Sequence, residues 1–327
     1  MAATCRYRPS CLSFNSRSLR VGNTFTERTV FIHMNDLSAG RLAADTSMGA
    51  VTLLVGDLDA MTRFYREVVT LDVISAEGDT VTLGRRGRPL VILRHSPALR
   101  HAPHGSAGLF HTAILFETQA ALATALASVV QHAPHTFTGS ADHLVSQAFY
   151  LTDPEGNGIE LYWDRDRTAW SWTHGQVEMD TLYLDPNAFL HEHLNPAAAS
   201  AVDASAEARI GHVHLSVGDV ATAHEFYVNQ LGFDQTATLG SRALFVSAGG
   251  YHHHMAMNVW KSQGAGPRMP ALGLSQVDLL LPTRDAIGEL TERLDHFGAA
   301  IRDDGQTLSF TDPWNNELRA TLAASPS

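Results

Sequence analysis

The 327-residue sequence predicts an α+β fold of four βαβββ modules, paired into two incomplete barrels. Three observations carry this expectation. Short strand-like runs alternate with single amphipathic helices, each half closes on a turn that opens with Asp-Pro, and the second half repeats the first at a fixed offset. Gly211, Val217, Gly218, Asp219, Phe226 and Tyr227 lie 162 positions after Gly49, Val55, Gly56, Asp57, Phe64 and Tyr65, while Asp312-Pro313 lies 159 after Asp153-Pro154. An offset that constant over shared motifs marks a duplication.

Residues 1–47 show no apolar periodicity. The first 26 carry Arg6, Arg8, Arg17 and Arg20 and no acidic residue, a composition that resembles a transit peptide but lacks its amphipathic helix. The expectation is a flexible tail outside the fold, or an upstream extension of the reading frame with Met34 as the start. Residues 48–184 form the N-terminal half, modules one and two. GAVTLLVGD reads as a strand from Gly49, Asp57 as a helix N-cap, and Leu58, Met61, Phe64 and Val68 as a helical stripe. Strand-like runs follow at Asp72 to Ala76, Thr80 to Gly84 and Leu90 to Arg94. The second module opens with FHTAILF and continues through a helix carrying Leu122, Leu126 and Val129. It ends in two strands joined by the Asp153–Gly158 turn. A linker rich in Ala, Ser and Pro spans 185–208 without a strand pattern. The C-terminal half, 209–323, holds modules three and four, the last with Ile287, Leu290, Leu294 and Phe297 as its helix stripe.

Composition bounds the function. Lys plus Arg is 23 against 34 Asp plus Glu, a net charge of -11 that opposes nonspecific attraction to nucleic acid or an anionic membrane. A small-molecule partner is expected, and a homo-oligomer is compatible with the composition. No apolar run approaches the roughly eighteen residues of a membrane span. Cys5 and Cys11, both in the tail, are the only cysteines, so no disulfide framework crosses the body and a reducing, cytoplasmic setting is expected.

The chemistry centres on Tyr150 to Trp163, YLTDPEGNGIELYW. Asp153-Pro154 and Gly156-Asn157-Gly158 make a tight turn, after which Ile159, Leu161 and Trp163 face one way and Glu160 and Tyr162 the other. A carboxylate in an apolar strand needs a partner, because an ionised, unpaired one costs several kcal/mol when buried. Among the partners that offset this is a metal cation, and 18 histidines invite one. Most of these, including His191 and His193 in the linker, belong to loops or the surface; those inside strands matter.

The quadruplicated modules, together with GHVHLSVGD, ALFVSAGGYHHH, FHTAIL and ADHLVSQAFYLTDPEGNGIELY, resemble the vicinal oxygen chelate superfamily. Within it the chain looks like the two-half extradiol catechol 2,3-dioxygenases of bacilli. That resemblance implies iron(II), with Mn(II) or another divalent metal as the alternative, held by two histidines and a glutamate, with open positions for a catechol-type substrate and O2. His111, His212 and Glu160 match the ligand positions. The resemblance makes His253 a proton acceptor for catechol, His143 a histidine near substrate and Tyr150 a hydrogen-bonding hydroxyl. The alternation of a strand would turn His252 and His254 away from His253. For each residue taken singly, a satisfied buried polar group is the blander account; the three ligand positions together reverse it. In the other modules Ala50 replaces His212, Gln276 replaces His111 and Arg319 replaces Glu160, which leaves one metal site. With His111 and Glu160 in module two and His212 in module three, the modules two and three must face each other, within one chain or across a dimer.

Two other functions use this fold: a glyoxalase-type metal-dependent isomerase or lyase, and a metal-free drug-binding protein. An isomerase needs no proton-accepting His253 beside Tyr150. A binding protein would have lost its ligands in every module, as modules one and four have.

Overall fold

The structure, a computed structural model, describes residues 40–194 and 206–324. Module one comprises β1 (Ser47–Val55), α1 (Leu58–Glu67), β2 (Asp72–Glu77), β3 (Thr80–Arg85) and β4 (Arg88–His95). Module two comprises β5 (Gly108–Phe116), α2 (Gln119–His132), β6 (Phe137–Asp142), β7 (Ser146–Thr152) and β8 (Gly158–Asp164). A short hairpin, β9 (Trp172–Thr173) and β10 (Gln176–Val177), and α3 (Pro186–His193) follow. Module three comprises β11 (Ala208–Ser216), α4 (Val220–His224) running into a π-helical stretch over Glu225–Gln230, β12 (Asp234–Thr238), β13 (Ala243–Ser247) and β14 (Met255–Asn258). Module four comprises β15 (Gly273–Leu281), α5 (Arg284–His296), β16 (Ile301–Asp303), β17 (Thr307–Thr311) and β18 (Glu317–Leu322).

The modules pair across the halves. One curled eight-stranded sheet runs β16-β17-β18-β15-β1-β4-β3-β2, and the other runs β12-β13-β14-β11-β5-β8-β7-β6. The first strands of two modules form each seam antiparallel, β1 with β15 and β5 with β11. Module two is thereby joined to three, and module one to four.

Local chemistry starts each helix where the spacing places it. Asp57, Thr118, Asp219 and Thr283 each accept a hydrogen bond from the backbone N–H three residues on, satisfying a donor the helix itself cannot. On α1, Met61, Phe64 and Tyr65 are buried; on α5, Ile287, Leu290 and Leu294 are. Phe297 leaves that stripe because the helix ends before it, and it is 44% exposed.

The Phe-Tyr pair on the helices of modules one and three ties each of these modules to the next. The Tyr65 hydroxyl donates to Asp153 Oδ2 at 3.1 Å, and the Tyr227 hydroxyl donates to Asp312 Oδ2 at 3.0 Å. The other carboxylate oxygen of each aspartate takes two backbone N–H groups of its own turn, from Glu155 and Asn157 or from Trp314 and Asn316. Burial pushes the Asp153 carboxyl up to about 6, with these donors pulling it back down. The sheets thus bind the halves together, and the helix-to-turn ties bind modules within a half.

Three boundaries differ from the sequence expectation. Packing onto the body starts before residue 48: Leu42 is buried, its N–H donates to the Gly232 carbonyl, and Arg41 pairs with Asp234. The rest of the expected tail lies outside the described residues. The linker holds a helix, α3, capped by Asp185 and docked through Phe189 against Phe149. Module two also has a third late strand, β6, whose alternation is obscured by Gly139 and a register shift against β7.

Candidate metal centre

The register of four adjacent strands sets a row across the second sheet. Tyr150 on β7 stands opposite Glu160 on β8, Glu160 beside Ala113 on β5, and Ala113 opposite His212 on β11. The next row places Gly158 beside His111 and His111 opposite His214. Ala113 is small and fully buried, which leaves room above it for Glu160 and His212 to reach one another. Gly158 is required where it is: a Cβ there would lie 2.2 Å from the Phe110 carbonyl oxygen and 3.0 Å from His111 Cβ.

His111, Glu160 and His212 therefore converge within one chain. Their ligand-type atoms all lie within 4.8 Å of one another, and all three residues are buried. Nε2 of His111 and Nε2 of His212 approach the same oxygen, Glu160 Oε2, at 3.0 Å and 3.1 Å. Burial raises the Glu160 carboxyl, but the two imidazoles outweigh it and hold the group well below its ordinary range. Burial also lowers His212 to about 4, so near neutral pH the set is one carboxylate and at least one neutral imidazole. The approach of His111 Nε2 to Glu160 Oε2 is close but outside hydrogen-bond geometry, which leaves this nitrogen buried without a hydrogen-bond partner among the described residues. An orphaned nitrogen aimed at a buried carboxylate is what a divalent cation would satisfy, and two nitrogens with one anionic oxygen suit such an ion.

A sequence model of the glyoxalase/bleomycin resistance protein/dioxygenase superfamily matches residues 47–161 and 209–319. The chain belongs to that superfamily. A catechol-2,3-dioxygenase of Bacillus subtilis (strain 168) is 36% identical over 274 residues, covering 82% of this chain and 94% of the relative. Among solved structures, a Bacillus subtilis protein with a provisional dioxygenase assignment superposes with a TM-score of 0.61 at 12% identity, covering 87% of each chain. Glyoxalase I from Zea mays superposes with a TM-score of 0.51 at 14% identity over 85% of this chain and 92% of its own. At such identities the two structures share the fold.

Around the triad of this superfamily member stand the other residues singled out by sequence. His253 lies in the β13–β14 loop with its ring centroid 4.1 Å from that of His212 and 5.2 Å from Phe245. Burial, then the neighbouring imidazoles, keep it well below the usual histidine range. The Tyr150 ring is 5.8 Å from His111, and burial together with Glu160 raises its hydroxyl, which stays protonated. His143 donates from Nδ1 to the Asp180 carbonyl at 2.7 Å, so in the neutral ring Nε2 accepts the Tyr150 hydroxyl at 2.7 Å.

One expectation is corrected. His252 does not point away from His253: their Nδ1 atoms are 2.7 Å apart. Residues 249–254 are not strand. Gly249 (φ 62°) and Gly250 (φ 68°) take the left-handed conformation that glycine tolerates, and this breaks the alternation on which the expectation rested. His254 does turn elsewhere, its Nδ1 accepting the Ala248 N–H at 3.2 Å.

His214 was missed. It lies two residues after His212, is 4% exposed, and its ring stands edge-on to His111 at 4.9 Å. Its tautomer follows from its neighbour. The Trp260 N–H donates to Asn258 Oδ1, so the Asn258 amide nitrogen faces His214 Nε2 at 3.0 Å and the ring proton sits on Nδ1. Phe110 and Trp260 wall it at 4.9 Å and 5.4 Å. The signal was available: His212 and His214 share one strand face.

Proposed function

We propose that this protein is an extradiol, ring-cleaving dioxygenase that acts on a catechol-type substrate with O2 at a non-haem iron(II) centre held by His111, His212 and Glu160. The observation that carries the reading is the convergence, in one cup, of the three ligand-type side chains with His253 on one side and Tyr150 on the other. The 36% identical catechol-2,3-dioxygenase relative supports it. A bound iron(II) would supply a common centre for the catechol oxygens and dioxygen and acidify the catechol hydroxyls. The protein's own residues do the rest. His253, neutral and buried, takes a catechol proton. Tyr150, kept protonated and held by His143, presents its hydroxyl oxygen as an acceptor to a substrate hydroxyl. The half-buried rings of Phe110 and Phe245 narrow the access of water to the cup. A glyoxalase-type isomerase uses the same fold and a metal but gives no work to His253 and Tyr150 as a pair.

The direct test is to load the protein anaerobically with iron(II), add catechol and oxygen, and follow oxygen uptake together with the appearance of a yellow ring-opened product. Tight metal binding without oxygen consumption for any catechol would overturn the reading in favour of the isomerase.

A further inference from the structure

The strand that presents Glu160 presents two more residues on the same face, Tyr162 and Asp164, and neither has a part in metal binding. Asp164, at the end of β8, reaches across the module seam to the loop that carries His253. Its Oδ1 accepts from His252 Nε2 at 2.9 Å and its Oδ2 accepts the Tyr251 hydroxyl at 2.7 Å. The Tyr251 oxygen in turn accepts the Tyr162 hydroxyl at 2.7 Å. Burial raises both phenols, so they remain donors. Trp170 covers the assembly, its ring 5.8 Å from Tyr251 and 5.3 Å from His252, with its own N–H satisfied by the Arg165 carbonyl.

The proton count follows from this chain. An ionised carboxylate only accepts, so His252 carries its proton on Nε2. In the neutral ring His252 Nδ1 is then a lone pair, and it lies 2.7 Å from His253 Nδ1. Two nitrogens at that distance share one proton, which must belong to His253. The ring of His253 is then protonated on Nδ1 and bare on Nε2. No hydrogen bond to that Nε2 is formed among the described residues, and His253 retains 8% exposure.

We infer that Asp164, acting through His252, fixes His253 in the Nδ1-protonated tautomer and so leaves Nε2 as the proton acceptor of the site. Asp164 and His252 are positioning residues. When Nε2 takes a proton, the ring becomes an imidazolium that the His252 lone pair, held in place by the carboxylate, stabilises. This is the logic by which an aspartate holds a catalytic histidine in register, extended by one imidazole. The role given to His253 rests on the ring-cleavage reading; its tautomer does not.

The test separates the two. In histidine-labelled full-length protein, with and without diamagnetic Zn(II), long-range proton–nitrogen correlation spectra report which nitrogen of His253 is protonated. The expected pattern in the parent is a protonated Nδ1 and a bare Nε2. His252→Phe keeps the ring contacts with Tyr251 and Trp170 and removes both nitrogens, and Asp164→Leu removes the acceptor; both should lose the pattern. Asp164→Asn, whose amide oxygen still accepts from His252, should restore it. A parent spectrum with Nε2 protonated, or a pattern unchanged in His252→Phe, overturns the inference whatever the activity of the protein. In the iron-loaded enzyme His252→Phe should lower kcat by at least roughly tenfold, part of what general acid–base assistance contributes, with KM for catechol and metal content within about twofold of the parent. An unchanged kcat removes the catalytic half of the inference.

Discussion

The two eight-stranded sheets are each built from two βαβββ modules on a matching register, yet they solve the charge at their centres in opposite ways. In the second sheet Glu160 is compensated by imidazoles around a place for a cation. In the first, the strand-paired positions are Asp278 beside Arg319, matching Ala113 beside Glu160. Arg319 donates to Asp278 through Nε at 3.0 Å and Nη2 at 2.6 Å, and Gln276 adds a third donor at 2.6 Å. Gly49 admits the aspartate, since a Cβ there would lie 2.7 Å from Asp278 Cβ. The first sheet therefore carries its own cation, a guanidinium locked to its partner by two hydrogen bonds. The second, on the proposed function, takes its cation from solution. The fold tolerates either, because what the row requires is neutralisation of a carboxylate in a low-dielectric centre, and a metal ion or an arginine satisfies that equally. Only a metal ion keeps open positions for chemistry.

The comparison breaks most severely at Glu160. Glu160→Gln preserves size and removes the anionic ligand, so metal affinity should fall by more than about 100-fold, beyond the loss typical for a ligand's supporting partner. Metal titration of the variant checks this, and full occupancy would remove Glu160 from the ligand set. Next is His253→Ala, which should leave metal content intact and lower ring-cleaving turnover by roughly 10². Steady-state kinetics alongside metal analysis separate the two quantities, and parental turnover would reduce His253 to a packing residue.

The first sheet should respond in stability rather than in chemistry. Asp278→Ala strands a partly exposed guanidinium, its side chain 33% accessible, so a loss of about 1–3 kcal/mol is expected, less than for a fully buried pair. Urea unfolding measures it, while metal binding at the second sheet should stay at the parental level; a coupled loss of metal would show that the two centres are not independent. The smallest effect is expected at the helix-to-turn ties. Tyr65→Phe and Tyr227→Phe each delete one hydroxyl donor to a buried carboxylate and should each cost about 1–2 kcal/mol. Unequal costs would show that the two halves, though duplicated, no longer share one energetic design.

Much of this was legible in the residues. Periodicity placed the helices and most strands, caps marked the helix starts, and the duplicated offset revealed both the modules and where ligands had been lost. Each of these signals is local or repeats at a fixed spacing, so a linear reading captures it. Sequence also required modules two and three to share the triad, since His111 and Glu160 lie in one and His212 in the other.

What only the tertiary structure decided is how that sharing is achieved. The β5–β11 seam closes the triad within a single chain, and nothing in either strand alone distinguishes that from a dimer, because backbone pairing is nearly independent of which chain supplies it. The row that sets Tyr150, Glu160, Ala113 and His212 side by side is a matter of register across four strands. The roles of Asp164, His252, His214 and Asn258 were hidden for the same reason: each acts through a partner 40 or more positions away, as in the 88-residue span from Asp164 to His252 and the 44-residue span from His214 to Asn258. At His252 a local rule failed outright. Two left-handed glycines replaced strand alternation with a turn, and a hydrogen bond that alternation forbids was formed.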